Sequence, residues 1–225
     1  MDNEKNENDK EEEKDIGPTP KKGKKDKTHL KKVIKKISQD EFFERLKKVS
    51  LLNQSGKLPY AEARFEINLA RPSELQPSTL YVLKSKLSFL AFLLDELSRH
   101  LNGIEKIDTL IEYQNEFGFW NQIIPPVVEL TDFGEWMILD GEHRSFIAMQ
   151  RKIEIPMLFI KNVTYPYPCL SFPGRWNSVK IVERTPEHKR ILRKGLNDTP
   201  ETRYSLHRDL RKFGSKGTRK PLSPI

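Results

Sequence analysis

The chain has 225 residues, with 40 Lys and Arg against 32 Asp and Glu and a formal net charge of +8. A single cysteine, Cys169, excludes an internal disulfide and a cysteine-based metal cluster, and no apolar run reaches the ~18–20 residues that span a bilayer. Residues 1–15 are charged and lack the apolar stretch of a secretory signal. A cytoplasmic protein with no membrane contact is expected, and the basic balance favours nucleic acid, nucleotides or acidic surfaces as partners.

Residues 1–36 read as a tail in two blocks: an acidic one, then Lys21, Lys22, Lys24, Lys25 and Lys27 followed by Lys31, Lys32, Lys35 and Lys36. So little apolar surface predicts disorder. The lysine block is either a DNA contact or a solubilising run. Ser38 with Glu41 three residues on forms a capping box. Phe42, Phe43, Leu46, Val49 and Leu52 then follow at helical spacing as far as the Asn53–Gly56 stop. Phe65, Ile67 and Leu69 alternate with polar or small residues, as a half-buried strand does. A loop with Pro72 and Pro77 leads to a short extended piece.

Leu83, Leu87, Leu90, Leu94 and Leu97 mark a helix with a wide apolar stripe, closed by Asn102 and Gly103. Burial against a sheet suits so wide a stripe better than a coiled-coil seam. Ile107, Leu110, Ile111 and Tyr113 predict a further helix over 104–117. Next come a strand over 123–130 with a bend at Pro125 and Pro126, a turn over 131–134, and a returning strand over 135–139. A helix over 142–152 and a strand over 155–160 complete the series. Tyr165, Tyr167, Phe172 and Trp176 lie among prolines, where they pack on a surface or stack on a base. Basic helices are expected from Thr185 and over 201–213, and a flexible tail over 214–225. The fold class is α+β. The divisions are 1–36 (tail), 37–165 (folded domain), 166–213 (Pro/aromatic segment and basic extension) and 214–225 (tail).

Chemistry concentrates at one point. The apolar run Met137–Leu139 stops at Asp140 and Gly141, and a helix begins with Glu142, His143, Arg144 and Ser145 in its first turn. A glycine turn into a helix presents backbone N–H groups and a positive helix end to an anion. Arg144 can hold a phosphate with two parallel hydrogen bonds, Ser145 adds a hydroxyl donor, and His143 can donate or move a proton. Asp140 and Glu142 repel an anion directly, so they suit holding Mg²⁺, orienting Arg144 or acting as a base. The same residues could also be an ordinary turn with a favourable first-turn acid and a surface arginine.

The run from Pro125 to Leu130, the turn, Trp136–Ala148 and Ile155–Ile160 resembles the N-terminal domain of the ParB/sulfiredoxin superfamily. Gly141, Glu142 and Arg144 stand in the Gly-Glu-Arg-Arg pattern of ParB, with His143 in place of its first arginine. The likeness covers roughly residues 67–163, with a helical insertion before Pro125. The resemblance implies a small mixed sheet with flanking helices. Gln76–Leu87 is similar to the Pro-Ser-x-Leu-Tyr-Ile…Lys-Leu element of ParB-like proteins whose later motif is Asp-Gly-His-Thr-Arg, the branch related to the free serine kinases. Asp140, Gly141 and Arg144 match that motif, while Glu142 and His143 replace its His-Thr pair.

That branch implies a kinase or nucleotide hydrolase using ATP, ADP or CTP with Mg²⁺ and a small hydroxyl-bearing acceptor. Residues 140–145 would bind the nucleotide, Glu142 would hold the metal, Glu142 or His143 would assist proton transfer, and Glu74 would be the upstream carboxylate base. The alternative is a DNA-binding ParB-like protein, a nucleotide-switched partition factor or a nuclease, touching DNA through the basic ends. Sulfiredoxin chemistry is excluded, because Glu142 stands where the reactive cysteine belongs.

Overall fold

A computed structural model describes residues 30–115, 118, 120–195, 199 and 204–213. The disorder expected for residues 1–29 and the flexible tail over 214–225 lie outside them. The architecture is mixed α+β, as the sequence implied. Its strands are β1 (Leu30–Lys36), β2 (Arg64–Ala70), β3 (Gln76–Pro77), β4 (Tyr81–Leu83), β5 (Ile111–Asn115), β6 (Trp120–Ile123), β7 (Val127–Leu130), β8 (Trp136–Asp140), β9 (Ile155–Lys161) and β10 (Lys180–Val182). The helices are α1 (Gln39–Lys47), α2 (Lys84–Leu101) and α3 (Glu142–Arg151).

The central sheet has five strands in the order β2-β9-β7-β8-β3 and is mixed: β2 and β8 run antiparallel to their neighbours β9 and β7, while β7–β9 and β3–β8 are parallel. Period-2 alternation gives it two covered faces. On one, Val128, Ile138 and Met157 meet Phe146 and Ala148 of α3 and the indole of Trp176. On the other, Val127, Leu158 and Ile160 meet Phe42 and Leu46 of α1, Tyr60 and Leu210. Met137 and Leu139 meet Tyr167 and Cys169. The Pro-rich segment therefore packs on the domain, with Tyr167 and Trp176 buried.

Helix α1 begins where the capping box placed it: the Ser38 hydroxyl accepts from the Glu41 N–H at 3.2 Å. Helix α2 ends at Asn102 in the left-handed conformation. Its stripe (Leu93, Leu94, Leu97) packs against a separate three-stranded sheet, β1-β5-β6, rather than forming a coiled-coil seam.

Several expectations needed correction. Leu30–Lys36, assigned by composition to the tail, is a strand paired with β5, because Leu30 and Val33 find an apolar partner in α2. The helix expected over 104–117 is a short 3-10 turn followed by β5. There Ile111 and Tyr113 are buried and alternate with Glu112 and Gln114, so the period is two rather than 3.6. The strand expected over 123–130 is split: Pro125 and Pro126 separate Ile123, in β6, from β7.

The basic helix expected from Thr185 does not form, since residues 189–193 run extended across the domain. Lys189 and Ile191 carbonyls accept from Leu80 and Leu170, and the Arg193 N–H donates to Pro168. Of the expected segment 201–213, the described residues contain only a 3-10 turn, Leu210–Phe213.

Candidate functional site

Strand β8 delivers its last residue, Asp140, to a sharp corner. Gly141 turns the chain there with φ 82° and ψ 16°, a left-handed conformation open to glycine at no steric cost. A Cβ at this position would lie 2.8 Å from the Pro126 Cβ and 2.9 Å from the Pro126 Cα. Helix α3 starts immediately, with no side-chain cap on its N-terminus. The Ser145 N–H donates to the Gly141 carbonyl at 2.9 Å, so the N–H groups of Glu142, His143 and Arg144 precede the regular helical bonds.

The corner joins a second helix start. The Leu83 N–H, at the N-cap of α2, donates to Nε2 of His143 at 2.9 Å. Helix α2 likewise has no side-chain cap and no acid in its first turn, where Lys84 and Lys86 stand exposed. A cation at a helix N-terminus opposes the macrodipole by ~0.3–1 kcal/mol. Two uncapped helix ends and Lys86 therefore stand beside the acids Asp140 and Glu142, while Lys84 pairs with Glu183 at 2.9 Å.

His143 is a neutral donor in this setting. Accepting on Nε2 places its proton on Nδ1. Burial lowers its pKa to about 4, helped by Lys86 and Arg144 and opposed by Glu142. The sign follows from comparison with an unfolded histidine near 6.5: below that pH the unfolded chain takes up a proton that the folded ring refuses. This contribution to stability is complete above pH ~6.5 and is lost as pH falls towards 4. Allowing for partial solvent access, urea titration is expected to show roughly 1–2 kcal/mol less stability at pH 5 than at pH 7 from this residue. His143→Gln would flatten that part of the profile; an unchanged slope would show that the ring does not titrate this way.

Arg144 is buried, its side chain 7% exposed. Nη1 donates to the Ile124 carbonyl, and Nη2 lies 3.7 Å from Asp140. Burial works against its charge and lowers its pKa, an effect that Asp140 only partly offsets. In this structure Arg144 ties the proline turn to α3. Glu142 is half-buried and accepts from the Ser78 hydroxyl at 3.3 Å and from Arg190. The Ser145 hydroxyl is fully buried without a hydrogen-bond partner among the described residues.

The corner thus brings Asp140, Gly141, Glu142, His143, Arg144 and Ser145 together. Glu74 stands exposed at the end of a 3-10 turn; among the described residues no side-chain hydrogen bond or ion pair joins it to the corner. Nor do the described residues gather three or more His, Cys, Asp or Glu side chains placed to hold a metal ion. Burial pushes the Cys169 thiol up to about 11, which leaves it a poor nucleophile.

Sequence reasoning missed Leu83, Lys84, Lys86, Ser78 and Arg190. The lysines did carry a signal, standing at a helix start where acids are favoured; Arg190 carried none, lying in a segment read as helix. A cleft of about 370 Å³ opens elsewhere, lined by residues that include Phe133, Tyr165, Tyr167 and Arg193 and none of 140–145.

No curated protein and no solved structure matches the chain. A family model described as the ParB CE domain matches residues 41–180, more than half of the sequence, from the first turn of α1 to the start of β10, with the whole corner inside. The chain belongs to the ParB CE domain family.

Proposed function

We propose that the protein binds a nucleotide through its phosphates at the corner where α2 and α3 begin, and acts as a phosphotransferase or nucleotide hydrolase similar to the free serine kinases. The observation that carries this reading is the meeting of two helix N-termini without side-chain caps, joined by the Leu83–His143 hydrogen bond. Backbone N–H groups at helix ends bind phosphate and cost no reorganisation. The Nδ1–H of His143 adds a neutral donor, and Lys86 supplies charge of the sign that phosphoryl transfer needs.

In such a transfer the acceptor oxygen bonds to the terminal phosphorus as the bond to the bridging oxygen breaks. The acceptor proton passes to a carboxylate, for which Glu142 and Glu74 are the candidates. Mg²⁺ enters with the nucleotide as part of the substrate. ATP, ADP and CTP all present the same phosphate chemistry.

A thermal-shift panel of ATP, ADP, CTP and GTP, each with and without Mg²⁺, tests the reading. A ligand at a hundred times its Kd stabilises the fold by ~2.7 kcal/mol, so at least one nucleotide is expected to raise Tm by several degrees. A flat panel would reject it. A second reading rests on Lys31, Lys32 and Lys35, exposed along β1: a DNA contact of a ParB-like protein. A duplex-DNA arm of the same panel, with retention falling steeply as salt rises, would favour this second reading over the first.

A further inference from the structure

Two guanidinium groups stand at the α3 corner, and their surroundings differ. Arg144, the arginine of the recognisable motif, has a side chain 7% exposed and committed to Ile124 and Asp140. A phosphate could reach it only by displacing a backbone carbonyl contact inside the core. Arg190 comes from the other end of the sequence, ten residues beyond the family match. Its side chain is 26% exposed.

Arg190 is also held in place from both sides. The carbonyls of its neighbours Lys189 and Ile191 accept from Leu80 and Leu170 at 3.2 and 2.8 Å. Its Nη2 donates to Glu142, and Nε lies 3.4 Å from the Ser78 hydroxyl. A guanidinium carries five N–H donors, so Nη1 and the second N–H of Nη2 are not used by these contacts. The backbone is held at both neighbours, and about a quarter of the side chain is in reach of solvent beside Glu142, the first residue of α3. An arginine so placed meets a phosphate with two parallel hydrogen bonds.

We propose that Arg190, not Arg144, is the arginine that grips the phosphate of the bound nucleotide, so that the extended segment outside the family domain completes the site. The proposal rests on the phosphate reading given above and names the residue that reading lacked. Glu142 is then the partner that holds the guanidinium ready while no anion is bound. On binding, the phosphate shares the fork with the carboxylate.

The test uses the full chain, with ATP and inorganic tripolyphosphate as probes in isothermal titration. Arg190→Ala is expected to weaken both by roughly 10- to 100-fold, and Arg190→Lys by less, since it keeps the charge and loses the fork. A simple shielding role for Arg190, cancelling the repulsion of Glu142, is separated by the double variant Arg190→Ala/Glu142→Gln. If Arg190 touches phosphate, the double variant stays weak; if it returns to wild-type affinity, the proposal is overturned.

Wild-type affinity in Arg190→Ala would overturn it equally. Should the alanine variant unfold, Arg190→Gln, a shorter and uncharged side chain that keeps the aliphatic stem and an N–H donor, replaces it in the same comparison. Absence of any binding by the wild-type protein is a different failure: it removes the phosphate site itself, and this assignment with it.

Discussion

Replacing Arg208 with leucine is expected to destabilise the fold by roughly 3–5 kcal/mol, the usual cost of leaving one partner of a buried ion pair alone. Arg208 and Glu129 have side chains only 1% and 3% exposed. The guanidinium forks onto both carboxylate oxygens, Nε to Oε1 at 2.7 Å and Nη2 to Oε2 at 2.8 Å. The Tyr60 hydroxyl also donates to Oε1, at 2.5 Å. Remaining donors of Arg208 reach the carbonyls of Leu206 and Tyr165 at 2.7 and 2.6 Å.

Leucine would strand the Glu129 charge in the core and free two carbonyls. Chemical denaturation measures the loss. The double variant Glu129→Leu/Arg208→Leu should recover much of it, because no lone charge remains. A single variant within ~1 kcal/mol of wild type would show that this pair behaves like an exposed one. The network has a structural meaning: it fastens residues 204–213 onto β7, outside the family-matched segment.

Gly141→Ala is expected to cost about 3 kcal/mol, from two sources. Left-handed backbone costs a non-glycine residue ~1–2 kcal/mol, and the new methyl group would press on Pro126 at 2.8–2.9 Å, including its Cα. A backbone atom in a proline turn has little freedom to retreat, and overpacking of this kind adds ~1–3 kcal/mol. Gly134 is the control, with a φ of 78° and open space around it. Gly134→Ala should therefore show the conformational part alone. Equal losses in the two variants, measured by urea denaturation, would show that the Pro126 contact contributes nothing. Because the first N–H groups of α3 follow Gly141 directly, the variant should also lose nucleotide affinity.

The legible parts of the sequence were those where local chemistry and tertiary packing agree. Ser38 with Glu41, the alternation at Phe65 and Ile67, the Asn102 stop and the turn at Gly141 each encode their element within a few residues. The failures came where distant partners decide. Ile107, Leu110, Ile111 and Tyr113 fit a helical stripe, and pairing with β1 and β6 makes Ile111–Asn115 a strand instead. Leu30–Lys36 has the composition of a tail, yet its two apolar residues reach α2. Residues 189–193 look helical by charge and spacing, but carbonyls and N–H groups across the domain claim their backbone. For the site, the six residues of the corner were readable as a group. The burial of Arg144 and the arrival of Arg190 were not, because both depend on which segment crosses which.

Among the described residues strand β1 has one neighbour in its sheet, β5, and its pairing is interrupted by two register shifts. Lys31, Lys32 and Lys35 stand exposed along it. An open margin of this kind is a template on which further chains can stack, and irregular, lysine-studded margins discourage such stacking. Like-charged seams repel across a distance set by dissolved ions, about 10 Å at 0.1 M and 3 Å at 1 M. Concentrated brine, or acylation of those amines, would therefore weaken the guard against self-association without altering a single contact in the core.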